Sequence, residues 1–224
     1  SMTDSVVRNP DAMLLLSKMK EKSDYTHDRA IGVSIYMITF GRFLQLPREQ
    51  LDLLGMLGLL QDVGKMRLPA GLLEKKGALT DEERKLLRSH LEESVAVLKE
   101  TAGLPPELPA LAALHHERFD GSGYPEGLKG PEIGLFGSIA GMIDCFDALT
   151  RQRPYAEALS PSNALSKLYD WRDVQFDGAK DISAEAMHAP RRTDGKANLV
   201  TNQACFGCTI ACGRVSKLSE DGVG

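Results

Sequence analysis

The sequence predicts an all-α fold, a helical bundle followed by an irregular C-terminal appendage. Three observations carry this. From residue 11 to residue 170, apolar side chains recur at helical spacing, with no convincing apolar–polar alternation of the kind a half-buried strand requires. Helix-start signals open several of these segments, and proline or glycine closes them. After about Tyr169 the periodicity stops: residues 177–203 are polar, and three of the four cysteines crowd into ACFGCTIACGR.

The elements follow in order. Residues 30–44 carry Ile31, Ile35 and Ile38 on a helical period. Residues 51–60 are nearly all apolar, as in a helix buried on most sides, and they deliver Gln61-Asp62 before Gly64 turns the chain. Thr80 and Glu83 form a capping box, and the helix it opens is expected to carry His90 about three turns in. Pro105-Pro106 breaks the pattern. A short helix then carries Leu111, Leu114 and His115 toward a glycine loop, HHERFDGSGYP at 115–125. Residues 136–149 are apolar and helical, with Asp144 and Asp147 embedded among them. Ser160-Pro161 starts a last helix, serine at the cap and proline in the first turn. A boundary placed at Asp170 divides a helical domain (1–170) from the appendage (171–224), and no internal repeat or low-complexity tract is found.

With 224 residues the chain is one domain, or one with an appendage, and 42% hydrophobic against 26% charged residues is ordinary for a globular protein. A formal net charge of −4 gives no reason to expect a nucleic acid polymer as partner. No apolar run is expected to span a bilayer, so no membrane association is expected. SMTDSVVRNP lacks a signal-peptide pattern, Ser1-Met2 reads as a tag remnant, and the clustered cysteines are not a disulfide framework; a cytoplasmic setting is expected.

Asp62, His90, His115, His116 and Asp144, if they converge, make a metal site. Imidazoles and carboxylates from different helices suit Fe, Mn or Zn and leave positions for water. A metal-bound hydroxide could attack phosphorus, with Lys65 steadying the phosphate. Plainer readings exist for each residue. A lone His90 is more often a helix-surface histidine. His115 and His116 point about 100° apart on a helix, so one of them could be core, and Lys65 could be an ordinary surface charge. Asp144 is costly to bury without a partner, which favours a paired or liganding role.

QDVGKMRLPAGLLEKKGALTDEE, HLEESVAVL, HHERFDGSGYPEGLKG and IDCFDALTRQRPY follow one another in an order and spacing that resemble the HD-GYP family, across about residues 20–170. The resemblance implies an all-helical member of the HD phosphohydrolase superfamily, a bacterial signal-transduction module. In that family a centre of two or three metals hydrolyses cyclic di-GMP. By position, it implies metal ligation by Asp62, His90, His115, His116 and Asp144, catalytic roles for Asp62 and Lys65, and phosphate contacts from Lys65 and Arg153. Gly123, Tyr124 and Pro125 would sit on a loop that meets partners such as diguanylate-cyclase domains.

Three positions depart from the pattern. The family's histidine before Asp62 is Gln61. An earlier ligand histidine falls on Arg29, with Tyr25 where an acid is frequent one turn before. The lysine usually following Arg-Pro-Tyr is Ala156. His27 lies two residues off register and reads as a surface residue. Gln61 offers only a neutral amide oxygen, and a guanidinium cannot ligate a metal at all. The expectation is that Arg29 fills the vacated metal position and pairs with Asp62 and Asp144. A remnant site of His90, His115, His116 and Asp62 would hold one Fe or Mn, or none, with little or no phosphodiesterase activity. The alternative is an active phosphodiesterase with an unusual ligand set.

Cys205, Cys208 and Cys212 have spacing suited to an iron–sulfur cluster, which would make the chain a redox protein. WRDVQFDGAKDISAEAM and ACFGCTIACGR also resemble a piece of the aldehyde ferredoxin oxidoreductase family. A four-iron cluster wants four thiolates, and Cys145 reads as a buried core thiol, so the balance goes against a cluster. A fused fragment, an assembly artefact and a diverged HD-GYP end all remain open for the tail.

Overall fold

A computed structural model describes residues 10–73, 75, 77–152 and 157–176. Nine α-helices lie among the described residues: α1 (Pro10–Lys22), α2 (Asp24–Phe43), α3 (Arg48–Leu60), α4 (Ala70–Leu73), α5 (Asp81–Arg88), α6 (His90–Glu100), α7 (Leu108–Ala112), α8 (Gly134–Thr150) and α9 (Pro161–Asp170). Short 3-10 turns at Val63–Arg67 and Gly130–Ile133 join α3 to α4 and lead into α8. Among the described residues there is no strand, only two isolated bridges. Arg153, Ala156, Cys205, Cys208 and Cys212 lie outside the described residues, as does the appendage from residue 177 onward.

Side-chain caps set several of the helix starts. Ser23 Oγ accepts from Thr26 N (3.2 Å) at α2, and Ser160 Oγ accepts from Asn163 N (3.3 Å) at α9. At α5, Thr80 Oγ accepts from Glu83 N (3.2 Å) while the Glu83 carboxylate accepts from Thr80 N (2.8 Å), the reciprocal bonds of a capping box. The core forms where α2, α3 and α8 meet. Met37 and Phe40, Leu54, Leu57 and Leu60, and Ile139, Ile143 and Phe146 are all essentially inaccessible to water.

The α2–α3 crossing is tight enough to require glycine. A Cβ on Gly58 would lie 2.5 Å from Ser34 Cα and 2.7 Å from Ser34 N, both backbone atoms that cannot swing away. Gly58→Ala is expected to destabilise the protein by about 1–3 kcal/mol, despite the better helix propensity of alanine. Gly71→Ala, where a Cβ meets nothing within 4 Å, is the matched control. Thermal denaturation of the two variants checks this; equal melting temperatures would contradict it.

Three sequence expectations change here. The helix opened by Thr80 stops at Arg88, and His90 begins a new helix instead of lying three turns into the first. Ser89 Oγ donates to Leu86 O (2.7 Å), the local side-chain bond that competes with a helix ladder. Residues 130–150 are long and apolar enough to cross a bilayer by length and composition, contrary to the expectation that no run is. Most of this segment is buried in the bundle, and its Asp144 and Asp147 pair with arginines. The packed body also continues past the boundary set at Asp170. Phe176 is in the core, and Phe119 N and Asp120 N donate to Gln175 O (3.2 Å) and Val174 O (2.9 Å).

Candidate metal centre

The C-terminus of α3 delivers Gln61 and Asp62 into the interior, both buried. Gly64 makes this possible. Its Cβ would lie 2.3 Å from His90 O and from Ser94 N, so only glycine lets the 3-10 turn seat on α6. Gly64 N donates to Ser94 Oγ at 2.9 Å, fixing the seat. His90 enters from the start of α6, His115 and His116 from the turn after α7, and Asp144 from α8. All five residues named from the sequence are thereby brought together. The ligand atoms of His90, His115 and His116 lie within 4.8 Å of one another, as do those of Asp62, His115 and Asp144.

Two of the histidines are oriented by the backbone. His90 Nδ1–H donates to Leu87 O (2.6 Å) and His115 Nδ1–H to Ala112 O (2.8 Å). A backbone carbonyl only accepts, so in the neutral ring the lone pair is on Nε2. Both Nε2 atoms face Asp62 Oδ1, at 3.3 and 3.5 Å. Among the described residues these three buried atoms have no hydrogen-bond partner, and neither has Gln61 Oε1. Lone pairs aimed at a carboxylate oxygen repel unless a cation lies between them. Burial works against a charged ring here, lowering His116 to about 2 and also lowering His90, though Asp62 pulls His90 the other way. Three imidazoles with ligand atoms within 4.8 Å of one another, and an Asp62 oxygen facing two of them, suit a divalent ion of the Fe, Mn or Zn type.

The other half of the site already holds a cation. Arg29 reaches in from α2, its Nη1 donating to Asp62 Oδ2 and its Nη2 to Asp144 Oδ1 (2.5 Å), with Nε 3.4 Å from Asp147 Oδ2. Lys65 Nζ donates to the same Asp62 Oδ2 at 2.7 Å, and Arg151 makes two bonds to Asp147 at 3.1 and 2.8 Å. Three cations thus face three carboxylates. Burial alone would lower the Arg29 pKa, but Asp144, Asp62 and Asp147 together raise it above its ordinary value. Burial would raise Asp62 and Asp144; Lys65 and Arg29 hold Asp62 well below the usual carboxylate range, and Arg29 does the same for Asp144.

The departures from the family pattern have visible consequences. Gln61 Nε2 points at Asp144 Oδ1 at 3.4 Å, a long contact to a carboxylate. Tyr25 is 49% exposed, and its ring lies 5.9 Å from the Arg151 guanidinium. His27 is partly buried, not the surface residue expected, and bonds Asp28 (3.1 Å) apart from the cluster. Lys65, expected to steady a phosphate, is tied to Asp62. Cys145 is half-buried against the core, not fully buried, with Arg118 Nη2 3.7 Å from its sulfur.

Four contributors escape a reading of the sequence for ligands. Asp147 and Arg151 complete the charge network, and Arg88 stacks on the loop. Glu117 is buried, and its carboxylate accepts from Glu126 N (2.8 Å) and Leu128 N (2.9 Å), closing the loop that carries Gly123, Tyr124 and Pro125. The only signal for Glu117 is an acid directly after a histidine pair and before a glycine-rich turn. Glu117→Gln is expected to release this loop, since hydrogen bonds to a charged group contribute about 1.5–3 kcal/mol. Amide exchange at Glu126 and Leu128 should accelerate by about tenfold or more. Unchanged exchange at both amides would contradict it.

The chain belongs to the HD domain family, whose profile matches residues 12–179. It is 35% identical over 167 residues to a cyclic di-GMP phosphodiesterase of Pseudomonas aeruginosa, covering 75% of this chain and 40% of that protein. It is 34% identical over 155 residues to a 3'3'-cGAMP-specific phosphodiesterase of Vibrio cholerae serotype O1, covering 69% of this chain and 36% of that protein. The chain therefore spans well under half the length of these relatives. The HD domain of the L. monocytogenes phosphodiesterase PgpH shares the helical fold, with a TM-score of 0.57 at 14% identity over 91% of this chain and 98% of that one. A second profile, aldehyde ferredoxin oxidoreductase domains 2 and 3, matches residues 156–224. Of that span, the described residues 157–176 form α9 and the turn that packs into the helical body.

Proposed function

We propose that this chain is a degenerate cyclic-dinucleotide phosphodiesterase module, a signalling domain that binds a nucleotide or a protein partner with little or no hydrolysis. The observation that carries the reading is the Arg29 guanidinium bridging Asp62 and Asp144. With Oδ2 engaged by Arg29 and Lys65, Asp62 has one oxygen left for a metal, and the guanidinium stands between Asp62 and Asp144. One divalent ion, held by His90, His115, His116 and Asp62 Oδ1, would supply Lewis acidity toward a phosphate oxygen. Without a second metal, the nucleophile of a two-metal hydrolysis is not generated. Lys65 is engaged with Asp62 Oδ2, which Arg29 also holds.

The relatives act on cyclic di-GMP or 3'3'-cGAMP, which makes a cyclic dinucleotide the first ligand to test. The loop of Gly123, Tyr124 and Pro125 is the candidate surface for a protein partner of the diguanylate-cyclase kind. The alternative, a working phosphodiesterase with an unusual ligand set, draws support from the orphaned donor atoms, which keep one complete metal position. Calorimetric binding and product chromatography with cyclic di-GMP separate the two readings. Binding without conversion to the linear dinucleotide supports the degenerate module, and robust turnover favours the alternative.

A further inference from the structure

The three histidines are not held alike. His90 and His115 are each oriented by an Nδ1–H bond to a backbone carbonyl. His116 makes no such bond among the described residues. Its ring instead lies against Tyr124, with centroids 4.8 Å apart and planes inclined by 23°. Arg88 also lies over the Tyr124 ring, its guanidinium carbon 4.6 Å from the ring centroid, so that Tyr124 packs with both His116 and Arg88. Ser89 separates two contributors: the residue before it, Arg88, covers the loop, and the residue after it, His90, enters the centre.

The backbone reinforces the stack. Tyr124 N donates to His116 O at 3.2 Å. Gly123 sits so close that a Cβ would lie 2.4 Å from Arg118 N and 2.5 Å from Glu117 Cα. Glu117, next to His116 in the chain, clamps the far side of the loop through Glu126 and Leu128. The loop tip is thus tied at several points to residues 116–118.

We infer that Tyr124 is a positioning residue for His116, doing by ring stacking what the carbonyl bonds do for His90 and His115, and that the loop at 121–129 and the His116 side of the centre are coupled. This rests on the reading of His116 as a metal ligand. A metal-bound histidine usually depends on a hydrogen bond from its second nitrogen, and loss of such an outer partner weakens metal binding by about 10- to 100-fold. Coupling is reciprocal, so a partner that moves Tyr124 would weaken metal binding, and a bound metal would hold the loop in its present form.

The test is a Co2+ titration of the full chain, followed by visible absorption, for wild type, Tyr124→Phe and Tyr124→Leu. Phenylalanine keeps the stack and should match wild type in affinity and band shape. Leucine should weaken binding by about 10- to 100-fold and alter the band, with little change in the metal-free melting temperature. Arg88→Ala should weaken it by a smaller factor, about two- to fivefold. A leucine variant that binds Co2+ as wild type does overturns the proposal. Wild type that binds no Co2+ removes the one-metal reading and this inference with it. Proton NMR of the metal-free wild type supplies a second measurement, valid even if the leucine variant does not fold. The His116 ring resonances should lie upfield of those of His27, and their coincidence would overturn the stack itself.

Discussion

Replacing Arg29 with alanine is expected to destabilise the metal-free protein by about 3–5 kcal/mol, the usual cost of leaving a buried charge without its partner. For a domain of this size that is a fall in melting temperature of roughly 6–20 °C. The magnitude follows from what the guanidinium touches: Asp62 and Asp144 are buried, each bonded to one of its nitrogens, and Asp147 stands beside the third. The sign with pH follows from the depressed carboxylates. A carboxyl held below its usual range stabilises the fold above its unfolded pKa, and that contribution is lost as pH falls through the folded value. The gap between wild type and Arg29→Ala should therefore be full at neutral pH and narrow below about pH 4. The variant should also become metal-responsive. A divalent ion can take the vacated place between Asp62 and Asp144, so adding Mn2+ should recover much of the lost stability, by mass action. A loss under about 1 kcal/mol, with no response to Mn2+, would show that Arg29 is not the cation of this site.

The second large effect is expected from Gln61→His combined with Arg29→His. Each replacement supplies an imidazole where the present side chain cannot ligate, and the pair removes the cation competing for Asp62 and Asp144. Metal content should rise from about one ion per chain to about two, with turnover of cyclic di-GMP appearing alongside it. Either single change should do less. Gln61→His alone leaves the guanidinium in place, and Arg29→His alone leaves one oxygen-only position. A double variant with unchanged metal content would contradict it.

Much of the bundle was legible in the sequence because its signals are local. The capping box at Thr80 and the Ser160-Pro161 start depend on residues a few positions apart, and both form as read. The run at 51–60 was nearly all apolar, and its helix is buried on most sides, with Asp52 exposed. The break at Ser89 was not legible, because the helical period continues through it, as do the backbone bonds Ser89 N to Lys85 O and Glu93 N to Ser89 O. The end of the body was misplaced because Trp171 and Phe176 pack by long-range contacts that no periodicity encodes. In the site, the ligand types were readable from motif spacing. The pairing of Arg29 with both Asp62 and Asp144 followed from charge and position. The roles of Glu117, Asp147, Arg151 and Arg88 were not readable, since each depends on a neighbour distant in the sequence or on loop geometry.

The central claim, that Arg29 stands where a second metal would and leaves room for one ion, is tested most directly by counting metal. The purified chain is exposed to excess Fe2+ or Mn2+, stripped of loosely bound ion, and measured by elemental analysis against protein concentration. About one ion per chain is the expected result, from the one orphaned set of donors at His90, His115 and Asp62 with His116 beside them. Two or more tightly held ions per chain would contradict it.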